Sequence, residues 1–166
     1  MVRESNIDVA SVIDEAKNFS QSLIFTACVI KDTEISLKMI KVLVELGVDP
    51  KKEDTLKQTA LFYASREGLT DAISYLCTTG GVEVNRQDKY GQTPVYYAVR
   101  EGNIKAVQQL ISFGADTDII DSKNQRPLYY AIQANRFDMC LFLIQKGANL
   151  QMEDKKGMTP THWAKK

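Results

Sequence analysis

His162 is the only histidine in the chain, so a Ser-His-Asp triad or a histidine-bearing zinc site has almost no material to draw on. Cys28, Cys77 and Cys140 lie far apart, and none forms a C-x-x-C pair with metal-ligand spacing. With no basic partner suggested that would lower a thiol pKa, they read as small core residues, not nucleophiles. The glycines, including Gly80-Gly81, compose neither G-x-x-x-x-G-K-[ST] nor G-x-G-x-x-G, so no phosphate cradle is present. Glu53-Asp54 adjoin Lys51-Lys52, and mixed charge of this kind belongs to a solvated face. The residue types therefore predict no catalytic, metal or cofactor-binding site, and a protein that is not an enzyme.

Lys plus Arg equals Asp plus Glu at 21 each, so the global field that would gather nucleic acid or an anionic membrane is missing. With 44% hydrophobic and 25% charged residues the chain has ordinary globular composition, and 166 residues suit one continuous core. No signal-peptide h-region follows Met1 and no run approaches a membrane span. A sparse, odd cysteine count fits a reducing compartment, which predicts an intracellular protein, cytoplasmic or nuclear or both.

Those residues hang on a repeat. Thr59-Ala60-Leu61-Phe62-Tyr63-Ala64 recurs as Thr93-Pro94-Val95-Tyr96-Tyr97-Ala98, Arg126-Pro127-Leu128-Tyr129-Tyr130-Ala131 and Thr159-Pro160-Thr161-His162-Trp163-Ala164, at offsets of 34, 33 and 33 residues. A fainter copy, Ser22 to Ala27, lies 37 residues before the first. A second register, Gly47-Val48-Asp49, Gly81 to Asn85, Gly114-Ala115-Asp116 and Gly147-Ala148-Asn149, precedes each motif by 12 positions. The pattern resembles the ankyrin repeat, whose marker is T-P-L-H-x-A, over roughly Ser22 to Lys166. The resemblance implies an all-α solenoid of stacked helix-turn-helix units with β-hairpin loops. The units run near 22–58, 59–92, 93–125 and 126–158, with a partial one at 159–166.

One unit shows the physics. Thr93 can cap a helix and Pro94 suits its first position; Gly102 ends that helix at a left-handed residue. A second helix from about Asn103 to Phe113 aligns Ile104, Val107, Leu110 and Ile111 on one stripe, and Gly114 stops it. Asp88-Lys89-Tyr90-Gly91 and Asp121-Ser122-Lys123-Asn124 carry turn chemistry for the loop tips. Lys57 occupies the tip position of Gly91 and is strained if it keeps a left-handed backbone. The first unit has four extra residues, placed in Lys31 to Ile35, and the second has one near Thr79-Gly80. Residues 1–21, with Val9, Val12, Ile13, Ala16 and Phe19 on one stripe, read as a capping helix. After Thr159-Pro160 only one short helix fits; of a polar cap or a longer protein, the second is preferred.

In the family the motif histidine ties neighbouring hairpins together, and here Phe62, Tyr96 and Tyr129 stand at its place. Tyr63, Tyr97, Tyr130 and Trp163 share the next position and form either a packing ladder or a possible aromatic groove. Tyr97 and Tyr130 with Glu101 would in the latter case offer a cage for methylated lysine. Asn85 sits where oxygen-dependent hydroxylases modify many ankyrin proteins, and reads here as a hairpin residue. The resemblance implies a monomeric array that binds another protein or peptide on its concave hairpin and first-helix side. The residues expected there are Thr55, Leu56, Gln58, Arg66, Glu67, Gln87, Lys89, Tyr90, Gln92, Arg100, Glu101, Ile120, Ser122, Lys123 and Gln125. The rival reading is the targeting portion of a larger kinase, acyltransferase or methyltransferase.

Overall fold

The computed structural model describes residues 23–165. Helix α1 spans residues 23–27 of these, and the expected capping helix of residues 1–21 lies outside them. The helices that follow are α2 (Thr33–Glu45), α3 (Ala60–Glu67), α4 (Thr70–Thr78), α5 (Pro94–Glu101), α6 (Ile104–Ser112), α7 (Pro127–Gln133), α8 (Phe137–Gln145) and α9 (Pro160–Trp163). First helices α3, α5, α7 and α9 stack in sequence, and second helices α2, α4 and α6 form a layer behind them.

Composition sets which layer lies deeper. Pro94 to Val99 of α5 are all buried, because a first helix touches both neighbours and its own partner, whereas α6 buries Ala106, Val107 and Leu110. That is the 3.6-residue stripe of a helix with one face in water. Gly68 and Gly102 end α3 and α5 in the left-handed region, at φ 74° and 81°. Asn135, at φ 54°, takes that place after α7.

Three local expectations need correction. Thr59 and Thr93 precede their helices in extended conformation but make no side-chain cap bond, and both hydroxyls are buried without a partner. Thr159 does cap: its side chain accepts from the N–H of His162 while His162 Nδ1 accepts from the Thr159 N–H. The four extra residues of the first unit, placed by the sequence in Lys31 to Ile35 as a longer link between its helices, also lengthen the second helix itself: α2 has 13 residues where α4, α6 and α8 have 9. Asp32 caps the longer helix, accepting from the backbone N–H groups of Glu34 and Ile35 at 3.0 Å. The hairpin-like loops contain no strand among the described residues, for consecutive tips share too few backbone bonds. The added residue of the second unit is Gly80, where a Cβ would lie 2.7 Å from the Leu76 carbonyl oxygen.

Candidate functional site

Each loop tip is folded by one aspartate. Asp121 Oδ1 accepts from the backbone N–H groups of Lys123 (2.8 Å) and Gln125 (2.9 Å), and the Asp121 N–H donates to the Gln125 carbonyl (2.9 Å). Asp54, Asp88 and Asp154 repeat the arrangement. The tips are joined by single backbone bonds, Lys89 N–H to Leu56 O, Ser122 N–H to Tyr90 O and Lys155 N–H to Lys123 O, at 2.8–3.0 Å. The array therefore presents its tips in a row.

The second oxygen of each aspartate faces inward and links units. Tyr97 donates to Asp88 Oδ2 (2.6 Å), which also receives Gln58 Nε2 of the preceding tip (2.9 Å). Gln92, Asp121 and Tyr130 repeat the triple, and Gln125, Asp154 and Trp163 Nε1 repeat it with an indole. A buried polar group is costly unless paired, and here each is paired to its neighbours, so the ladder fixes spacing between units.

This ladder corrects part of the expected partner surface. Gln58, Gln92 and Gln125 are buried, because their amides are used inside the array. Tyr97 and Tyr130 are also buried, at 5% and 7% exposure, so the column is not an open groove; Tyr63 and Trp163 at its ends are half-buried. The aromatic packing joins different motif positions of adjacent units: Phe25 with Tyr63, Phe62 with Tyr97 and Tyr96 with Tyr130, at 5.1–5.6 Å. Arg66 and Arg100 lie over the Tyr97 ring at 5.1 and 4.9 Å, so no cage is left for methylated lysine. Arg66 and Arg100 themselves are half-buried. Thr55, Leu56, Glu67, Gln87, Lys89, Tyr90, Glu101, Ile120, Ser122 and Lys123 are exposed on the tips and first helices.

At the motif histidine position the hydroxyls of Tyr96 and Tyr129 cross to the next loop. Tyr96 donates to the Ile119 and Gln125 carbonyls (2.5 and 2.7 Å), Tyr129 to those of Met152 and Met158. Phe62 has no hydroxyl to send. Asn85 also staples units, its Nδ2 donating to the Gly114 carbonyl and its Oδ1 accepting from the Asp116 N–H, both at 2.9 Å.

Burial and the Asp54 carboxylate push the Tyr63 hydroxyl up to about 12, and burial raises Tyr96, Tyr97, Tyr129 and Tyr130 as well. Burial also raises the thiols of Cys28 to about 12 and Cys77 to about 11, which suits inert packing groups. Burial would raise Asp154 too, but hydrogen bonds from Gln125, Met158, Lys156 and Trp163 outweigh it and hold the carboxyl below its ordinary value. Among the described residues no cluster of three His, Cys, Asp or Glu could hold a metal, and no helix is long and apolar enough to cross a membrane.

Two hollows lie at the last unit. A larger one, about 530 Å³, is apolar and lined by Ile132, Phe137, Cys140, Leu141, Ile144 and others. The positions equivalent to Cys140, Ile73 and Val107, are fully buried, whereas Cys140 is half-buried, since no second helix follows α9 among the described residues. The smaller, about 270 Å³, opens on the tip side between Gln133 and Trp163.

The stacked pairs, the tip row and the motif register are those of a known repeat, and the sequence matches the family model "Ankyrin repeats (3 copies)" over residues 26–121 and 102–166. The chain belongs to the ankyrin-repeat family. No curated protein matches it. Ankyrin repeats are generally protein–protein interaction modules, and the fold is typically non-catalytic.

The turn role of Asp88 and Asp121 is legible in the sequence, whereas the inward bridging by the second oxygen of the aspartates is not among the sequence expectations. A signal for them was present: Asp54, Asp88, Asp121 and Asp154 each precede the ring of Tyr63, Tyr97, Tyr130 or Trp163 by nine residues, and three of them precede a glutamine by four.

Proposed function

We propose that this ankyrin array is a non-catalytic recognition module inside the cell that holds a partner protein or peptide on its concave side. The observation that carries the reading is the contrast within that side: Asp, Gln and Tyr lock the units beneath, while Tyr90, Lys89, Ser122 and Lys123 project from tips joined in a row. A surface fixed before binding loses little ordering entropy when it docks. Tyr90, 51% exposed near the middle of the array, has the amphipathic aromatic character that interfaces concentrate.

The test is capture of the native partner from cell extract by array variants with unchanged thermal midpoints. Tyr90→Ala with Lys123→Glu is expected to weaken capture at least about tenfold, which corresponds to about 1.4 kcal/mol. Lys105→Ala with Gln108→Ala, on the exposed face of α6, should do much less. Normal binding by the first pair and loss by the second would move the site to the second-helix face.

A further inference from the structure

The smaller hollow arises from one departure in the repeat. In the second unit the Arg66 guanidinium lies 5.2 Å from the Tyr63 ring and 5.1 Å from Tyr97, and reaches Gln58 Oε1 at 3.5 Å. It thereby fills the notch between consecutive units. Arg100 covers Tyr97 in the third unit. Gln133 takes the same position in the fourth; its amide contacts Gln125 Oε1 at 3.4 Å, and about 270 Å³ stays open toward Trp163.

The walls of this notch are cationic. Lys123, Lys155 and Lys156 line it with one acid, Asp154, a local balance of three positive charges to one negative. Asp154 is already saturated: Oδ2 accepts from Gln125 and Trp163, and Oδ1 from the N–H groups of Lys156 and Met158. The three lysines are exposed and form no ion pair with any described residue. Along the same row Lys89 and Lys57 continue the positive edge, while Glu53 and Glu101 are engaged by Arg86 and Arg100. Glu153, exposed beside this tip, is not part of the notch lining. A chain of zero net charge thus carries a row of exposed tip lysines on the side read above as the partner surface, with Glu67, Glu101 and Glu153 the exposed acids near them.

We propose that the partner is an extended acidic peptide, and that the notch between Gln133 and Trp163 seats one of its Asp or Glu side chains. The carboxylate would meet Lys123, Lys155 and Lys156, and its aliphatic stem the Trp163 ring. The rest of the peptide runs along the tips toward Lys89. Opposite charges across such a surface chiefly speed encounter and set register, so the interaction weakens as salt screens it. This inference rests on the concave-side reading and narrows it to one ligand chemistry.

The experiment is fluorescence anisotropy with a labelled peptide of alternating Glu and Ser, about 12 residues long, enough to span up to ~40 Å when extended. A Gln/Ser peptide of equal length, single-stranded oligouridylate and phosphatidylserine vesicles form the other arms. The expected result is Glu/Ser binding at least about tenfold tighter than any of these, a difference of about 1.4 kcal/mol. Lys123→Ser with Lys155→Ser and Lys156→Ser should remove most of it. Gln133→Arg is decisive, because it adds positive charge while filling the notch as Arg66 does. A seated carboxylate predicts weaker binding, and diffuse attraction predicts tighter. Tighter binding by that variant, equal binding of the Gln/Ser peptide, or preference for oligouridylate or vesicles overturns the proposal. Loss of Glu/Ser binding on Lys105→Ser with Lys146→Ser, two exposed second-helix lysines, overturns the concave-side reading as well.

Discussion

The boundary between the third and fourth units and the beginning of the array use the same motif with different polar content. At the inner boundary Asp121 gathers Lys123, Gln125, Tyr130 and Gln92, and Tyr96 crosses to two further carbonyls. At the first tip Asp54 accepts from Leu56, Gln58 and Tyr63, Phe62 contributes no hydroxyl, and Lys57 sits at φ 62° where Gly91 stands one unit later. One framework therefore stacks with or without the full ladder. Apolar first helices make the solenoid, and the Asp-Gln-Tyr triples fix how rigidly its concave side is held.

Raising the pH is expected to have the largest effect, since it acts at once on the tyrosine rungs and on the phenols that cross to the next loop. The folded state holds the hydroxyl protons of Tyr63, Tyr96, Tyr97, Tyr129 and Tyr130 more tightly than the ordinary value of 10.0. Their contribution to stability is therefore complete below pH 10 and is lost as pH rises through the folded values, which for Tyr63 means about 12. Ionisation of these five phenols, followed residue by residue by NMR, should accompany loss of helical circular dichroism. Their ionisation in a still-folded array would break the account of the ladder.

Next come the aspartates. Asp121→Ala leaves several buried donors unpaired and should destabilise by about 3 kcal/mol, against about 1 kcal/mol for Asp54→Ala at the more exposed first tip. Urea unfolding checks the difference, and equal losses would erase the distinction between the two regions. Smaller again is the hydroxyl exchange. Tyr96→Phe should cost roughly 1 kcal/mol, and Phe62→Tyr, which offers the next loop the bond Tyr96 makes, should gain up to about the same. A destabilised Phe62→Tyr would show that the first boundary is packed too differently to take the hydroxyl.

Lys57→Gly is the smallest. Lys57 has the left-handed φ of 62° that its motif position implied, and glycine there should stabilise by roughly 0.5–1 kcal/mol. No gain in the urea midpoint would mean that strain at this tip is negligible.

What was legible in the sequence follows from what a repeat encodes. Periodicity and punctuation gave α5 and α6 to within about a residue, since Pro94, Gly102 and Gly114 act through their own backbones. Direction was harder to read. Motif position put Gln58, Gln92 and Gln125 on the partner side, but only the folded tip shows each amide turned inward to an aspartate one unit away. The tyrosines at the histidine position escaped for a related reason. His162 is short enough to reach back to Thr159, whereas a phenol carries its hydroxyl past that N–H to the next loop.

The central claim is that the tips and first helices are the recognition surface, and hydrogen exchange of the array with and without its captured partner tests it most directly. Slowed exchange at Lys89 to Gly91, Ser122 to Asn124 and Lys155 to Gly157, with α6 and α8 unchanged, is the predicted footprint. Protection confined to the exposed faces of α6 and α8, with the tips exchanging as in the free array, would contradict it.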